Sequence, residues 1–249
     1  MKMTMNKKRI FPVIMLLAAT LLFSSCLGEG SNNYSDTTVV YIDSHAGSVY
    51  GKTLTSRLIT SSQIQLMTPG TFKFLTYAWD EEYGTSTIGE MEVDNVVITR
   101  DPVDVSRKML SLAAPPEVEE PDLFLDISNP YYANNKLYLG DHWLFEYAYE
   151  AKKGQDASIQ FYMVDDPQLG ENEVLLEIRL VLDGEPDAGA SLTSQTDIVA
   201  INMGPLRSLL EGESQAKRDV KIHFQYHRKG SDDLYKIPTA YIYQVGGDA

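Results

Sequence analysis

From Thr38 onward, apolar and polar side chains alternate residue by residue in short runs broken by Gly, Pro, Ser and Asp. A chain written in period two presents its apolar side chains on one side of a pleat, so it buries them as strands and not as helices. The runs Thr38–Asp43, Leu54–Thr60, Gln63–Met67, Phe72–Trp79 and Met91–Thr99 predict five short strands. That count over so few residues points to a small barrel. Within Phe72–Trp79, Phe72, Phe74 and Ala78 share one face while Leu75, Tyr77 and Trp79 share the other. We expect Phe72 and Phe74 to fill the barrel. Tyr77 and Trp79, with Tyr83 in the next loop, are then the candidate partner-binding residues on an open face or cleft.

Three prolines and three acids crowd the segment 113–121, which neither a strand ladder nor a helix interior accepts. We expect a semi-rigid linker there. Beyond it, Lys136–Leu139, Trp143–Tyr149, Ser158–Val164, Val174–Leu182, Ile198–Asn202, Val220–His227 and Ala240–Val245 read as strands, the spacing of a β-sandwich. Trp143, Phe145, Tyr147 and Tyr149 form one apolar stripe, and Val174, Leu176, Ile178, Leu180 and Leu182 form a second. A helix of one or two turns is expected at 204–210, with Pro205 in its first turn.

The chain opens with Lys2, Lys7, Lys8 and Arg9, an apolar run to Phe23, small Ser24 and Ser25, and then Cys26, its only cysteine. This order matches a bacterial lipoprotein export signal, so Cys26 is the expected lipidation site and the membrane the first expected partner. The resulting organisation is a signal peptide over 1–25, a polar tether over 26–37, a barrel domain over 38–112, the linker over 113–121 and a sandwich domain over 122–249. With its one thiol lipidated, the protein has no disulfide, and stability has to come from burial. The leader takes four basic residues and no acid from a chain of net charge −14. The mature protein is more acidic still, which argues against nucleic acid as a partner.

Catalytic and cofactor motifs are not apparent, and no cofactor is implied. His223 and His227 fall four apart on a strand, about 13 Å from each other, too far for one zinc ion. Asp141-His142 sits at a strand entry where Gly140-Asp141 is turn chemistry. The loop bearing Asp165, Asp166, Glu171 and Glu173 is the one calcium candidate, although it lacks the spacing of a helix-loop-helix calcium site. Two functions remain in play. The first is a non-catalytic binding or assembly module for a protein or glycan. The second is a hydrolase of envelope polymers, using carboxylates across an interdomain cleft.

The export signal, the polar tether, the short-stranded barrel and the run Tyr138-Leu-Gly-Asp-His-Trp-Leu-Phe-Glu-Tyr resemble the NigD-like family of bacterial envelope lipoproteins. So do Phe72–Asp80 followed by Val93–Arg100, and Ile159–Asp165 followed by Val174–Leu182. The resemblance implies an all-β protein with an OB-like barrel followed by an immunoglobulin-like sandwich. It also implies anchoring in a Gram-negative outer membrane, facing the periplasm or the exterior, and a bacteriocin-immunity association. It brings no catalytic residues.

Overall fold

The computed structural model describes residues 32–133, 138–213 and 216–247. The expected signal peptide, Cys26 and the start of the expected tether lie outside the described residues. Among the described residues the fold is all-β with one short α-helix, as the alternation requires. Strands β1 (Asn33–His45), β2 (Ser48–Thr53), β3 (Leu58–Thr60), β4 (Phe72–Asp80), β5 (Thr85–Ile88), β6 (Met91–Ile98) and β7 (Val103–Asp104) make one seven-stranded sheet. β1 pairs with β2 and β4, β2 with β3, β3 with β6 in parallel, and β6 with β4, so these pairings run in a ring.

Three expected features of this half change, the first being that the strand expected over Leu54–Thr60 shortens to β3. Ile64–Leu66 is a 3-10 turn where a strand over Gln63–Met67 was expected, and β1 begins at Asn33, inside the expected tether. β2 escapes the sequence pattern because Gly51 interrupts its alternation. A Cβ at Gly51 would stand 2.5 Å from Val40 Cγ1, so close strand approach demands glycine there.

β8 (Ser106–Ser111), β9 (Phe124–Ile127), β10 (His142–Lys152), β11 (Asp156–Val164), β12 (Glu173–Asp183), β13 (Leu192–Asn202), β14 (Arg218–Tyr226), β15 (Tyr235–Lys236) and β16 (Tyr241–Val245) make the second, nine-stranded sheet. The two stripes read from the sequence, on β10 and β12, join one large core with Ile222, Phe224 and Tyr226 of β14. Helix α1 (Gly204–Glu213) is longer than expected and adds Leu206 and Leu210 to that core.

β8 changes the expected boundary. It pairs in parallel with both β11 and β13, so the chain passes from one sheet to the other at Val105, before the Pro-rich segment. That segment therefore does not join the two sheets. Parallel pairing of β8 leaves no local turn signal, since parallel neighbours are joined by long connections.

The sheets meet through a buried apolar cluster of Val39, Tyr41, Phe72, Val105, Leu139, Leu144 and Ala200. Tyr138 Oη donates to the Thr53 carbonyl at 2.7 Å, and Tyr131 Oη to that of Leu54. The His142 ring lies 5.2 Å from the Phe72 ring. A Cβ at Gly140 would fall 2.3 Å from Tyr41 Oη, and its φ of 59° suits glycine, so this turn is shaped by what it packs against.

Burial of His142 lowers its pKa below the ordinary 6.5, the Leu139 carbonyl and Asp141 acting against that shift and Arg107 with it. The unfolded chain takes up a proton that the folded chain resists. This contribution to stability is present above pH 6.5 and is lost as pH falls below it. Thermal melts at about pH 7.5 and about pH 5.5 should show a Tm drop of a few degrees that is smaller in His142→Asn. Equal drops in the two proteins would show that His142 does not titrate in this window.

Candidate functional site

Alternation in β4 assigns side chains to two faces, and the structure turns those faces opposite to expectation. Leu75 and Tyr77 are fully buried with Val40, Ile42, Ile59, Ile64 and Val96. Phe72 faces the second sheet, and Phe74 is 38% exposed. Tyr77 is therefore core and cannot meet a partner. Trp79 is half-buried, with the Arg57 guanidinium 4.8 Å from its ring and Tyr34 at 5.4 Å. Arg57 is held in place by Asp94 at 2.6 Å. Tyr83 is exposed on the turn after β4. The three candidate residues thus form no common surface.

The calcium candidate also dissolves into separate contacts. Asp165 is exposed. Asp166 accepts from the Gln168 amide, which keeps its carboxyl below the usual range with help from Lys236. Glu173 is held down by Lys221, whose Nζ lies at 3.0 Å, and by the Gly170 amide. No cluster of three metal-capable His, Cys, Asp or Glu residues exists among the described residues.

Asp141-His142 serves as a brace. Asp141, at a φ of 61°, accepts Arg207 Nε and Nη2 at 2.8 and 2.9 Å and Tyr243 Oη at 2.9 Å. This fork ties the turn before β10 to α1 and β16. Where the two sheets meet, the described residues pack as an apolar junction.

An open polar site lies where the sequence reading placed a linker. Prolines at 115, 116 and 121 cannot join a ladder, so the segment crosses the outer face of the second sheet as a strap. Arg179 Nη1 donates to the Pro116 carbonyl at one end. At the other, Asp122 Oδ2 accepts the Leu182 amide at 2.8 Å. Beneath the strap is a cavity of about 620 Å³ lined by Glu117, Val118, Glu119, Glu177, Arg179, His227 and Leu234.

Its floor follows from alternation in β12 and β14. Residues opposite the apolar stripe point outward, and the parallel register sets Glu177 beside Gln225. Glu177 is 3% exposed, a costly place for a carboxylate without partners. Arg179 Nε meets its Oε1 at 2.6 Å and Gln225 Nε2 meets its Oε2 at 3.0 Å. Burial lowers the pKa of His227, with Glu177 opposing the shift and Arg179 assisting it. Each outward residue was legible as outward. What the sequence did not reveal was the parallel β12–β14 pairing that gathers them, or the strap that roofs them.

No family model and no curated relative matches the sequence. Several solved structures are similar in fold. A protein from Parabacteroides merdae shares 17% identity over 85% of this chain and 98% of its own, with a TM-score of 0.56. A candidate lipoprotein from Bacteroides fragilis shares 12% over 86% and 98%, with a TM-score of 0.56. A NigD-like immunity protein from Bacteroides caccae shares 10% over 84% and 96%, with a TM-score of 0.52. At such identities the shared property is the fold, distant from but consistent with the NigD-like resemblance read from the residues. Among the described residues no helix is long and apolar enough to cross a membrane.

Proposed function

We propose that this chain is a non-catalytic binding module of the bacterial cell envelope, tethered to the outer membrane through lipid on Cys26. The observation that carries the reading is the contrast between its internally paired ionisable groups and its open groove. Asp141, Glu177, Asp43 and Asp94 each sit in an internal ion pair, a use of charge that holds a fold together. The groove under the strap, by contrast, is preformed and partly polar, as ligand sites are. The ring of strands, with its parallel β3–β6 pairing, supports reading residues up to Asp104 as an OB-like barrel. The second sheet is then a sandwich-like unit entered at β8, and the buried junction holds the two in one orientation.

Anchoring is tested by Cys26→Ala. Wild type should fractionate with membranes and take up radiolabelled palmitate, while the variant should appear in the soluble fraction without label. Labelling of the variant would place the anchor elsewhere and overturn the reading.

A bacteriocin-immunity role is the second reading, supported by the fold shared with the NigD-like immunity protein. Expression of wild type in a sensitive host should raise survival against a bacteriocin from a related strain, and Cys26→Ala should not. Unchanged survival across a panel of such toxins would remove the immunity role and leave the binding module standing.

A further inference from the structure

We propose that the groove beneath the Pro-rich strap binds a small zwitterion in the form of a short peptide's free carboxy-terminal end, its carboxylate on Arg179 and His227 and its ammonium on the strap carboxylates. This rests on the binding-module reading and names the ligand class.

Glu177 is closed on both oxygens, by Arg179 Nε and by Gln225. Arg179 spends Nη1 on the Pro116 carbonyl, and its guanidinium lies over the Tyr162 ring at 5.7 Å. Its Nη2 meets no partner among the described residues, and neither does the His227 ring. Arg179 and His227 both line one cavity, so two side chains with N–H groups to donate border the same space, a pairing that a carboxylate accepts. The ion pair with Glu177 orients Arg179 in advance, so little side-chain entropy is lost when a ligand binds.

The strap supplies the complementary sign. Glu117 and Glu119 are exposed, line the same cavity, and have no ion-pair partner among the described residues. Val118 and Leu234 offer aliphatic walls between the two charged ends. A cavity of about 620 Å³ lies in the range that holds small ligands. A simple anion would be repelled by the strap and a simple cation would leave Arg179 unused, so a ligand bearing both charges fits best.

The test is calorimetric titration of the full-length protein in detergent with alanyl-alanine, its carboxy-terminal amide and its N-acetyl form. The free dipeptide should bind, the amide at least about tenfold more weakly, and the acetylated form at an intermediate level. Because replacing Arg179 would disturb Glu177 and the strap together, the variants are Glu117→Gln with Glu119→Gln, and His227→Asn. The double variant should erase the difference between free and acetylated peptide while leaving the amide weak. His227→Asn should weaken free and acetylated forms alike. Equal binding of amide and free dipeptide, or no heat from either, overturns the proposal. Membrane fractionation of Cys26→Ala is independent of the groove, so a silent titration beside a lost anchor removes the ligand class and leaves the envelope module in place.

Discussion

Tyr77→Ala is expected to destabilise the protein by about 3 to 5 kcal/mol, while Phe74→Ala, two turns of the pleat away from the core it was expected to fill, should cost less than about 1 kcal/mol. The Tyr77 ring is fully buried against Tyr34 and the β1 aliphatics, and its hydroxyl donates to Asp36 Oδ2 at 3.3 Å. Truncation leaves a cavity that strands pairing on both edges of β4 cannot close. Phe74 keeps more than a third of its surface in water beside Val103. Urea unfolding of both variants decides the matter through the shift in midpoint at constant slope. Comparable losses would mean that the two faces of β4 are not divided as described.

The second large effect is expected at the turn before β10. Asp141→Asn should cost about 1.5 to 3 kcal/mol, because it breaks the two charged hydrogen bonds of the fork and leaves Arg207 only the more distant Glu211 carboxylate, at 3.3 Å. Both side chains are largely inaccessible, at 16% and 13% exposure. Asparagine tolerates the positive φ at this position, so the substitution removes charge without adding backbone strain. Arg207 also lies over the Tyr243 ring at 4.6 Å and donates to the Gln244 carbonyl at 2.8 Å, contacts that hold it in place after its partner is gone. Asp141→Asn combined with Arg207→Met should recover part of the loss, since the interaction energy of a contacting pair is not additive. A single-variant loss under about 1 kcal/mol would mark the pair as solvent-screened.

The strands of the second sheet were the most legible part of the chain. Trp143–Tyr149 and Val174–Leu182 fall inside β10 and β12, and His223 falls on the outward face of β14, because each of these segments has one strongly apolar side. Where both sides are apolar the pattern loses its direction. Phe72, Phe74, Leu75, Tyr77 and Trp79 show that β4 has two faces without showing which one looks into the ring. The groove was illegible for a different reason. Its floor comes from strands that pair in parallel across some 50 residues and its roof from a segment whose prolines signal only that it is not a strand, so nothing local links Glu117 to Glu177 or His227.

What the sequence determined by itself was class: period two dictates strands, since only a pleat separates alternate side chains; the basic, apolar and small residues leading to Cys26 match the pattern of an export signal, which makes the envelope the expected address. What the tertiary structure decided was orientation and assembly. It buried Tyr77 and exposed Phe74, carried β8 into the second sheet, filled the junction with Phe72 and Tyr41, and laid the Pro-rich segment over Glu177 and Arg179. These outcomes depend on which distant surfaces meet, and the free energy that selects them comes from burial between segments far apart in the chain.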